Sequence, residues 1–143
     1  MKTFVRLTVA LIAMFAPTAT SADEQATLPF SKAVRVGDML YLSGELGAKP
    51  GAMMLVPGGI GPETRQTMEN IKATLEASGS DMDHVVKCLV MLADIGEWAE
   101  MNEVYRTYFK PGRYPARSAL GASGLALGAR VEIECMARVK EDS

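Results

Sequence analysis

The spacing of hydrophobic and polar residues predicts a β-hairpin near the start of the folded part of the chain. Residues 33–44 carry apolar side chains at alternating positions, namely Val34, Val36, Leu40 and Leu42. The pair Gly37-Asp38 is a turn signal between these two runs. Residues 47–61 follow as a long loop rich in Gly, Pro and Met, and a loop of this length is often part of a functional site.

The spacing of apolar residues changes after this loop and predicts a helix. Pro62 suits a first helical turn because its missing N–H would be unpaired there. Glu63 suits the same turn because a negative charge favours the positive end of the helix dipole. The predicted buried stripe is Met68, Ile71 and Leu75, and Gly79 is predicted to end the helix.

The second half of the chain predicts a buried strand and a second helix. Residues 85–93 form a nearly continuous apolar run, which is typical of a central strand covered on both faces. Asp94 is predicted to cap the helix, with Glu97 as its capping-box partner, and Pro111-Gly112 to stop it. The side chains expected to face the core are Trp98, Met101, Val104, Tyr105 and Tyr108.

Two further strands complete the prediction. Residues 115–120 form a short strand, and the small residues 121–128 form a flexible connection. Residues 129–139 alternate clearly and form the last strand. One face of this strand is apolar (Val131, Ile133, Cys135, Ala137, Val139), and the other carries Arg130, Glu132, Glu134, Met136 and Arg138.

This order of elements predicts an α/β fold of the α+β type, with a mixed sheet and two helices packed on one face. Two helices can cover only one face of such a sheet, so the other face needs a neighbouring subunit. The polar residues on the last strand indicate that this second face is not a plain hydrophobic core.

The first residues are predicted to be a secretory signal peptide, residues 1–22. Lys2 and Arg6 precede a short apolar run, and the small residues before Asp23 suit cleavage. We therefore expect a secreted or periplasmic protein whose mature chain, residues 23–143, is a single domain without stable membrane association. The alternative is an uncleaved anchor, but the apolar run is too short to span a bilayer.

Charge argues against nucleic acid as the partner. The chain has 15 basic and 17 acidic residues, and cleavage after Ala22 would remove Lys2 and Arg6, leaving 13 basic residues and a net charge of −4. Neither clustered Lys and Arg nor an aromatic and basic stripe is present. A ribonuclease activity is accordingly a poor fit to the sequence.

The two cysteines, Cys88 and Cys135, leave two interpretations open. An oxidising compartment permits a disulfide between them. The favoured interpretation is two small, unpaired, buried side chains, because cysteine is often fully buried. Their spacing matches no metal motif and His84 is the only histidine, so no metal site is expected. For His84 we expect a surface or capping position.

Arg117 and Glu132 are the candidate functional residues. Arg117 lies in a short strand, and Glu132 and Glu134 lie on one face of a largely apolar strand. Charges on such a face are costly unless they are paired or used. The structural alternative is an ion pair between neighbouring strands. The functional alternative is a carboxylate-binding arginine with a nearby acid–base glutamate.

Several motifs, in order, resemble the Rid family, also called YjgF-like. They cover nearly all of the mature chain and are the stretches 36–44, 64–71, 85–87, 101–105, 115–118 and 131–134. The resemblance implies a chorismate-mutase-like fold and a homotrimer whose sheets form a central barrel, with sites between subunits. It also implies hydrolytic deamination of reactive 2-imino and enamino acids to 2-oxo acids and ammonia, without a cofactor.

The resemblance assigns roles to residues of this chain. Arg117 matches the carboxylate-binding arginine and Glu132 the residue that positions water. Ser43 and Gly44 match a pocket segment, and Asn102 matches a helix residue near the subunit contact.

Three positions depart from the family pattern. Phe30 stands where many members have tyrosine, and Ala119 where many have cysteine. Glu45 replaces a glutamine and is expected to add negative charge to the pocket. The second functional hypothesis is therefore a non-catalytic trimer that binds small carboxylates or protects other proteins.

Overall fold

A computed structural model describes residues 29–140. The predicted signal peptide, residues 1–22, lies outside the described residues. The first elements are β1 (Ala33–Val36) and β2 (Met39–Leu42), which pair antiparallel with Val36 opposite Met39. The predicted hairpin and its two-residue turn are therefore confirmed.

The remaining elements follow the predicted order with one addition. They are β3 (Glu45–Leu46), α1 (Ile60–Ala77), β4 (Val85–Leu92), α2 (Trp98–Tyr105), β5 (Ala116–Gly121) and β6 (Val131–Arg138). Short 3₁₀ turns precede β4 and α2, follow α2 and precede β6. Strand β3 was not predicted, because two residues are too few to show a period. Within residues 29–140, no helix has the length and hydropathy needed to cross a bilayer.

The strands form one mixed sheet in the order β1-β2-β6-β4-β5, and β3 pairs with β6 beyond the end of β2. Strands β4 and β5 are parallel, and the other pairs are antiparallel. Strand β6 therefore lies in the middle of the sheet, between the hairpin and β4. Strand β5 lies at one edge.

Between β2 and β3 the chain has one residue more than the part of β6 that lies opposite. Tyr41 lies opposite Met136 and Glu45 lies opposite Ile133, so three residues, 42–44, face two residues of β6. This is a β-bulge, which locally changes the direction of the side chains and often occurs beside functional sites.

Both helices pack on the same face of the sheet. Met68, Ile71 and Leu75 of α1 are fully buried, as their spacing predicted, and they belong to one core with Val131 and Ile133 of β6. Each buried side chain of this size contributes about 1.5–3 kcal/mol by leaving water. The alternation predicted for β6 is confirmed.

The second helix differs from its prediction at its first turn. The Asp94 side chain accepts a hydrogen bond from the Gly96 backbone N–H at 2.8 Å, and it caps a 3₁₀ turn, Ile95–Glu97, rather than α2 itself. Glu97 forms an ion pair with Arg130 instead of completing a capping box. Met101 and Tyr105 are buried as predicted, but Trp98 is 41% exposed and is not a core residue.

No element within residues 29–140 of one protomer covers the face of the sheet opposite the helices. Strand register places Val34, Val36, Tyr41 and Leu120 on this open face, where they are exposed by 51, 61, 43 and 43%. The expectation that β4 is covered on both faces is therefore not met within a single protomer. Exposed apolar side chains on one sheet face are typical of a protein–protein contact.

The cysteines form a disulfide, so the favoured interpretation of two unpaired thiols is wrong. Cys88 of β4 and Cys135 of β6 are directly opposite in the strand register and are bonded to each other. Both are almost completely buried on the helix side of the sheet. Both side chains are buried, as expected. The strand register that places them opposite each other could not be derived from their spacing in the sequence.

Removing this disulfide should destabilise the fold. The bond links residues 47 positions apart, and closing a loop of this length restricts the unfolded chain. The double variant Cys88→Ala/Cys135→Ala is expected to lose about 2–4 kcal/mol of unfolding free energy, measured by urea denaturation. Reductant should lower the midpoint of the wild-type chain but not that of the variant. Equal midpoints for all samples would contradict the prediction.

Candidate functional site

Arg117 points towards the helix side of the sheet. It lies on edge strand β5 opposite Cys88 of β4, whose side chain is in the core under the helices. The Asn102 Oδ1 atom of α2 accepts a hydrogen bond from Arg117 Nη1 at 2.8 Å. The guanidinium carbon lies 5.5 Å from the ring centroid of Trp98 and 4.7 Å from that of Tyr105. Helix α2 therefore fixes the position of the guanidinium.

The guanidinium of Arg117 has no carboxylate partner among residues 29–140: it takes part in none of their ion pairs. A guanidinium has five N–H donors, and Asn102 accepts from one of them. The structural alternative, an ion pair between Arg117 and Glu132, is not formed in this part of the chain. Arg117 can therefore offer two parallel N–H groups to an incoming carboxylate.

Ala119 lies two residues beyond Arg117 and points to the same side of β5. It is half-buried and packs against the hydrophobic core. Its small side chain leaves room beside the guanidinium. We refer to Arg117, Asn102 and Ala119 as the arginine group.

Glu132 lies on the opposite, open face of the sheet, next to Gly44. A Cβ atom built on Gly44 would lie 2.9 Å from Glu132 Cδ and closer still to Oε1. No real Cβ makes such a contact, so the carboxylate occupies space that only glycine leaves open. The family resemblance assigns Gly44 to a pocket segment, and the structure shows that its missing side chain makes room for Glu132.

The environment of Glu132 favours its protonated form. Partial burial raises the pKa of the Glu132 carboxyl above its ordinary value, and the negative charge of Glu134 raises it further. Glu134 lies two residues along β6 and therefore shares the open face with Glu132. A carboxyl group whose pKa is raised binds a proton more readily, as a group that transfers protons must.

Ser43 precedes Gly44 in the chain, and it forms hydrogen bonds to the segment that carries Phe30. The Ser43 hydroxyl donates to the Ser31 carbonyl at 2.7 Å, and the Ser43 backbone N–H donates to the Lys32 carbonyl at 2.9 Å. These bonds hold the segment that carries Phe30, whose side chain is largely exposed. We refer to Ser43, Gly44, Glu132 and Phe30 as the glutamate group.

Glu45 does not add charge to the neighbourhood of Glu132, contrary to expectation. The bulge turns its side chain towards α1, where its Oε1 accepts a hydrogen bond from the Thr74 hydroxyl at 3.0 Å. Lys32 Nζ lies 3.6 Å from the same oxygen. Glu45 therefore joins the hairpin region to α1.

Glu63 has a role that the sequence did not indicate. Its side chain is buried, and its Oε1 accepts hydrogen bonds from the backbone N–H groups of Arg130 at 2.6 Å and Val131 at 3.3 Å. The carboxylate of α1 thus anchors the first residues of β6, immediately before Glu132. A first-turn glutamate in the sequence predicts only a favourable interaction with the helix dipole, because its distant partners depend on tertiary structure.

One protomer does not bring the two groups together. Arg117 pairs in register with Cys88 on the helix side, whereas Glu132 pairs with Met91 on the open side, and β4 separates their strands. The arginine group and the glutamate group are therefore half-sites on opposite faces of one sheet. A site that contains both needs residues from two chains.

Residues 29–140 contain no group of three or more His, Cys, Asp or Glu side chains arranged to hold a metal ion. His84 lies at the surface end of a 3₁₀ turn, where its Nδ1 is 2.6 Å from Asp81 Oδ1. Its predicted surface position is confirmed.

Comparison with known proteins adds independent information. The family model described as Endoribonuclease L-PSP matches residues 20–139. The chain is similar to the 2-iminobutanoate/2-iminopropanoate deaminase of Mus musculus, with 44% identity over 109 residues that span 76% of this chain and 80% of the mouse protein.

Solved structures agree with this sequence similarity. RidA from an Antarctic Psychrobacter species is 39% identical, with a TM-score of 0.74 over 80% of this chain and 91% of that one. TdcF from E. coli with bound serine is 29% identical, with a TM-score of 0.73 over 80% of this chain and 91% of that one.

We expect the negative charge of Glu134 to raise the pKa of Glu132 in addition to the effect of burial. Glu134→Gln is expected to lower the pKa of Glu132, because it removes the neighbouring negative charge and leaves the burial unchanged. Carboxyl-carbon NMR titration measures the shift directly. Glu76→Gln, on the exposed side of α1, is the matched control and should leave the Glu132 titration unchanged. An unaltered pKa in Glu134→Gln would show that burial alone causes the shift.

Proposed function

The chain belongs to the Rid/YjgF family, the family described as Endoribonuclease L-PSP, and on this premise we propose that it hydrolyses 2-imino and enamino acids to 2-oxo acids and ammonia. One observation carries the proposal. Arg117 is held in place by α2 and has no carboxylate partner among residues 29–140. Asn102 accepts from one of its N–H groups, and others can donate to a ligand. Such a guanidinium is suited to the carboxylate that every 2-imino acid carries.

Arg117 binds and orients the substrate. Two parallel N–H···O bonds fix the carboxylate, and they place the adjacent C=N carbon at a defined position beside the guanidinium. An enamino acid first takes a proton on carbon and becomes the imine. The Ala119 position leaves space for this planar group beside the guanidinium.

Glu132 positions and activates water. Its carboxylate accepts a proton from a water molecule as the water oxygen bonds to the C=N carbon, and the imine nitrogen takes up a proton. The resulting carbinolamine expels ammonia when the C–N bond breaks, and its hydroxyl proton is lost as the 2-oxo acid forms. The raised pKa of Glu132 suits a group that takes and returns a proton in one cycle. This route uses no cofactor.

The complete site is formed between two protomers of a homotrimer. The arginine group of one chain meets the glutamate group of the next, because within one chain they face opposite sides of the sheet. The exposed apolar side chains of the open face support a subunit contact there. Three sheets with their open faces inwards and their helices outwards make a barrel.

A small-carboxylate-binding protein without catalysis is the second candidate. The binding of serine by TdcF concerns that protein, and it shows that a relative of this fold accommodates a small amino acid. The two candidates share Arg117 and differ in Glu132, since binding alone has no need of a carboxyl group with a raised pKa. A ribonuclease activity has less support, because the acidic mature chain offers no basic surface for a phosphate backbone.

Single substitutions separate the candidates. Arg117→Ala should reduce kcat/KM for 2-iminobutanoate by at least about 100-fold, because the substrate loses its orientation. Glu132→Gln should reduce kcat by about 100-fold or more while 2-oxobutanoate still binds. Rates come from a coupled assay with freshly generated imine, and binding from calorimetry. The matched controls, Arg106→Ala and Glu76→Gln, alter exposed charges and should retain wild-type rates.

Mixing the two inactive variants tests whether each site has two donors. In random trimers of Arg117→Ala and Glu132→Gln chains, about one site in four receives both intact half-sites from neighbouring chains, so activity should recover to about a quarter of the wild-type value. No recovery, with trimers verified by mass, would mean that one chain supplies both groups. Full activity of Arg117→Ala alone would overturn the carboxylate-clamp mechanism.

We also propose that the protein acts outside the cytoplasm. The predicted signal peptide supports export, and so does the disulfide, since such bonds persist in oxidising compartments. The source of imines would then be an amino-acid oxidase or dehydrogenase in the same compartment.

Export can be checked by mass. The chain produced in a bacterial host should be recovered from the periplasm without residues 1–22, and its mass should rise by about 2 Da when the disulfide is reduced. A cytoplasmic, full-length, fully reduced chain would contradict the proposed location without affecting the proposed reaction.

A further inference from the structure

Three residues on one stripe of α2 surround the guanidinium of Arg117. Trp98, Asn102 and Tyr105 are spaced i, i+4 and i+7, so they share one face of the helix. Asn102 accepts a hydrogen bond from Arg117 at 2.8 Å, and the two aromatic rings lie within 5.5 Å of the guanidinium carbon. The two rings therefore lie within cation–π distance of the guanidinium, and Asn102 accepts from only one of its five N–H donors.

The two aromatic residues of this stripe are not equivalent. Tyr105 is 3% exposed, belongs to the core, and stays neutral because burial raises its pKa to about 12. Trp98 is 41% exposed although it is the largest side chain of α2. Core packing accounts for Tyr105. It does not account for an indole that is 41% exposed beside a guanidinium that has no carboxylate partner among residues 29–140.

We propose that Trp98 is a specificity-determining residue whose exposed indole forms an apolar wall beside the substrate that Arg117 holds. The site then prefers 2-imino acids with apolar side chains over those with a second acidic group. This inference rests on the proposed function, because it assumes that Arg117 holds the substrate carboxylate.

The preference follows from what lies beside the bound carboxylate. A substrate held at the edge of the guanidinium extends its side chain next to the groups that flank Arg117. These are the exposed indole of Trp98 and the methyl group of Ala119. Contact with them removes apolar surface from water, which favours an alkyl side chain. A second carboxylate would lose hydration and would meet the negative face of the ring.

Trp98 is the only tryptophan in the chain, so its signal can be followed in the unmodified sequence. We would label it with 5-fluorotryptophan and record the fluorine NMR resonance while adding 2-oxohexanoate, 2-oxoglutarate or acetate. Acetate has a carboxylate but no longer side chain, so its effect on the resonance measures what carboxylate binding at Arg117 does alone. The expected result is a saturable shift with 2-oxohexanoate that clearly exceeds the shift with acetate, and weaker binding of 2-oxoglutarate.

Kinetics provide the second measurement. Trp98→Ala should lower the kcat/KM ratio of 2-iminohexanoate to 2-iminopropanoate by about tenfold, because only the longer side chain reaches the wall. Trp98→Phe keeps an aromatic wall and should keep most of this ratio. The control Tyr41→Phe retains the ring of an exposed aromatic residue on the open face and should leave the ratio unchanged.

The outcomes distinguish this inference from the proposed function. If the wild-type chain hydrolyses imines, but Trp98→Ala keeps the wild-type ratio and 2-oxohexanoate shifts the fluorine resonance no more than acetate, Trp98 does not form the wall. The deaminase function would stand in that case. If the wild-type chain hydrolyses no imine, the proposed function itself is wrong. Should Trp98→Ala fail to fold, the fluorine shifts of the wild-type chain decide the question: a shift with 2-oxohexanoate no larger than that with acetate would contradict the inference.

Discussion

The two-residue period of strand β6 is the constraint on which the site depends. It places Val131 and Ile133 under the helices and thereby directs Glu132 and Glu134 to the open face. A shift of one residue in this register would bury both carboxylates in the core and expose the apolar set, at a prohibitive cost. The buried carboxylate of Glu63, which binds the first backbone N–H groups of the strand, helps to fix that register.

The same constraint gives the sheet two chemically different sides. On the helix side, a stripe of α2 holds Arg117 at the edge strand. On the open side, the bulge before β3 brings Gly44 to Glu132. Neither side is a complete reaction site. If the two groups act together, as we propose, the reaction is linked to assembly, because Arg117 and Glu132 of one chain face opposite sides of the sheet.

The sequence predicted the fold well where residues repeat with a clear period. The stripe of α1, the alternation of β6 and the hairpin turn are all confirmed. It was less informative where contacts between distant elements decide the outcome. The disulfide requires Cys88 and Cys135 to be opposite each other in the register, and the direction of Glu45 depends on a single extra residue in the chain. Neither feature has a local signal.

The candidate site shows the same division. The sequence singles out the candidate residues Arg117 and Glu132, because charges in apolar strands are costly unless they are paired or used. Their placement on opposite faces follows from pairings with β4 that the sequence does not specify. Trp98 was assigned to the core by its spacing, yet it lies at the solvent edge of the helix stripe beside Arg117.

Unpaired charge explains why such a site persists in a small protein. Arg117 has no carboxylate partner within the described part of the chain, and Glu132 lies beside Glu134, so both positions cost stability that paired residues would avoid. The fold offsets this cost elsewhere, through the core under the helices and the disulfide between β4 and β6. A structure under selection for stability alone would neutralise both groups internally, so their separation on two faces favours a functional role for them over a structural one.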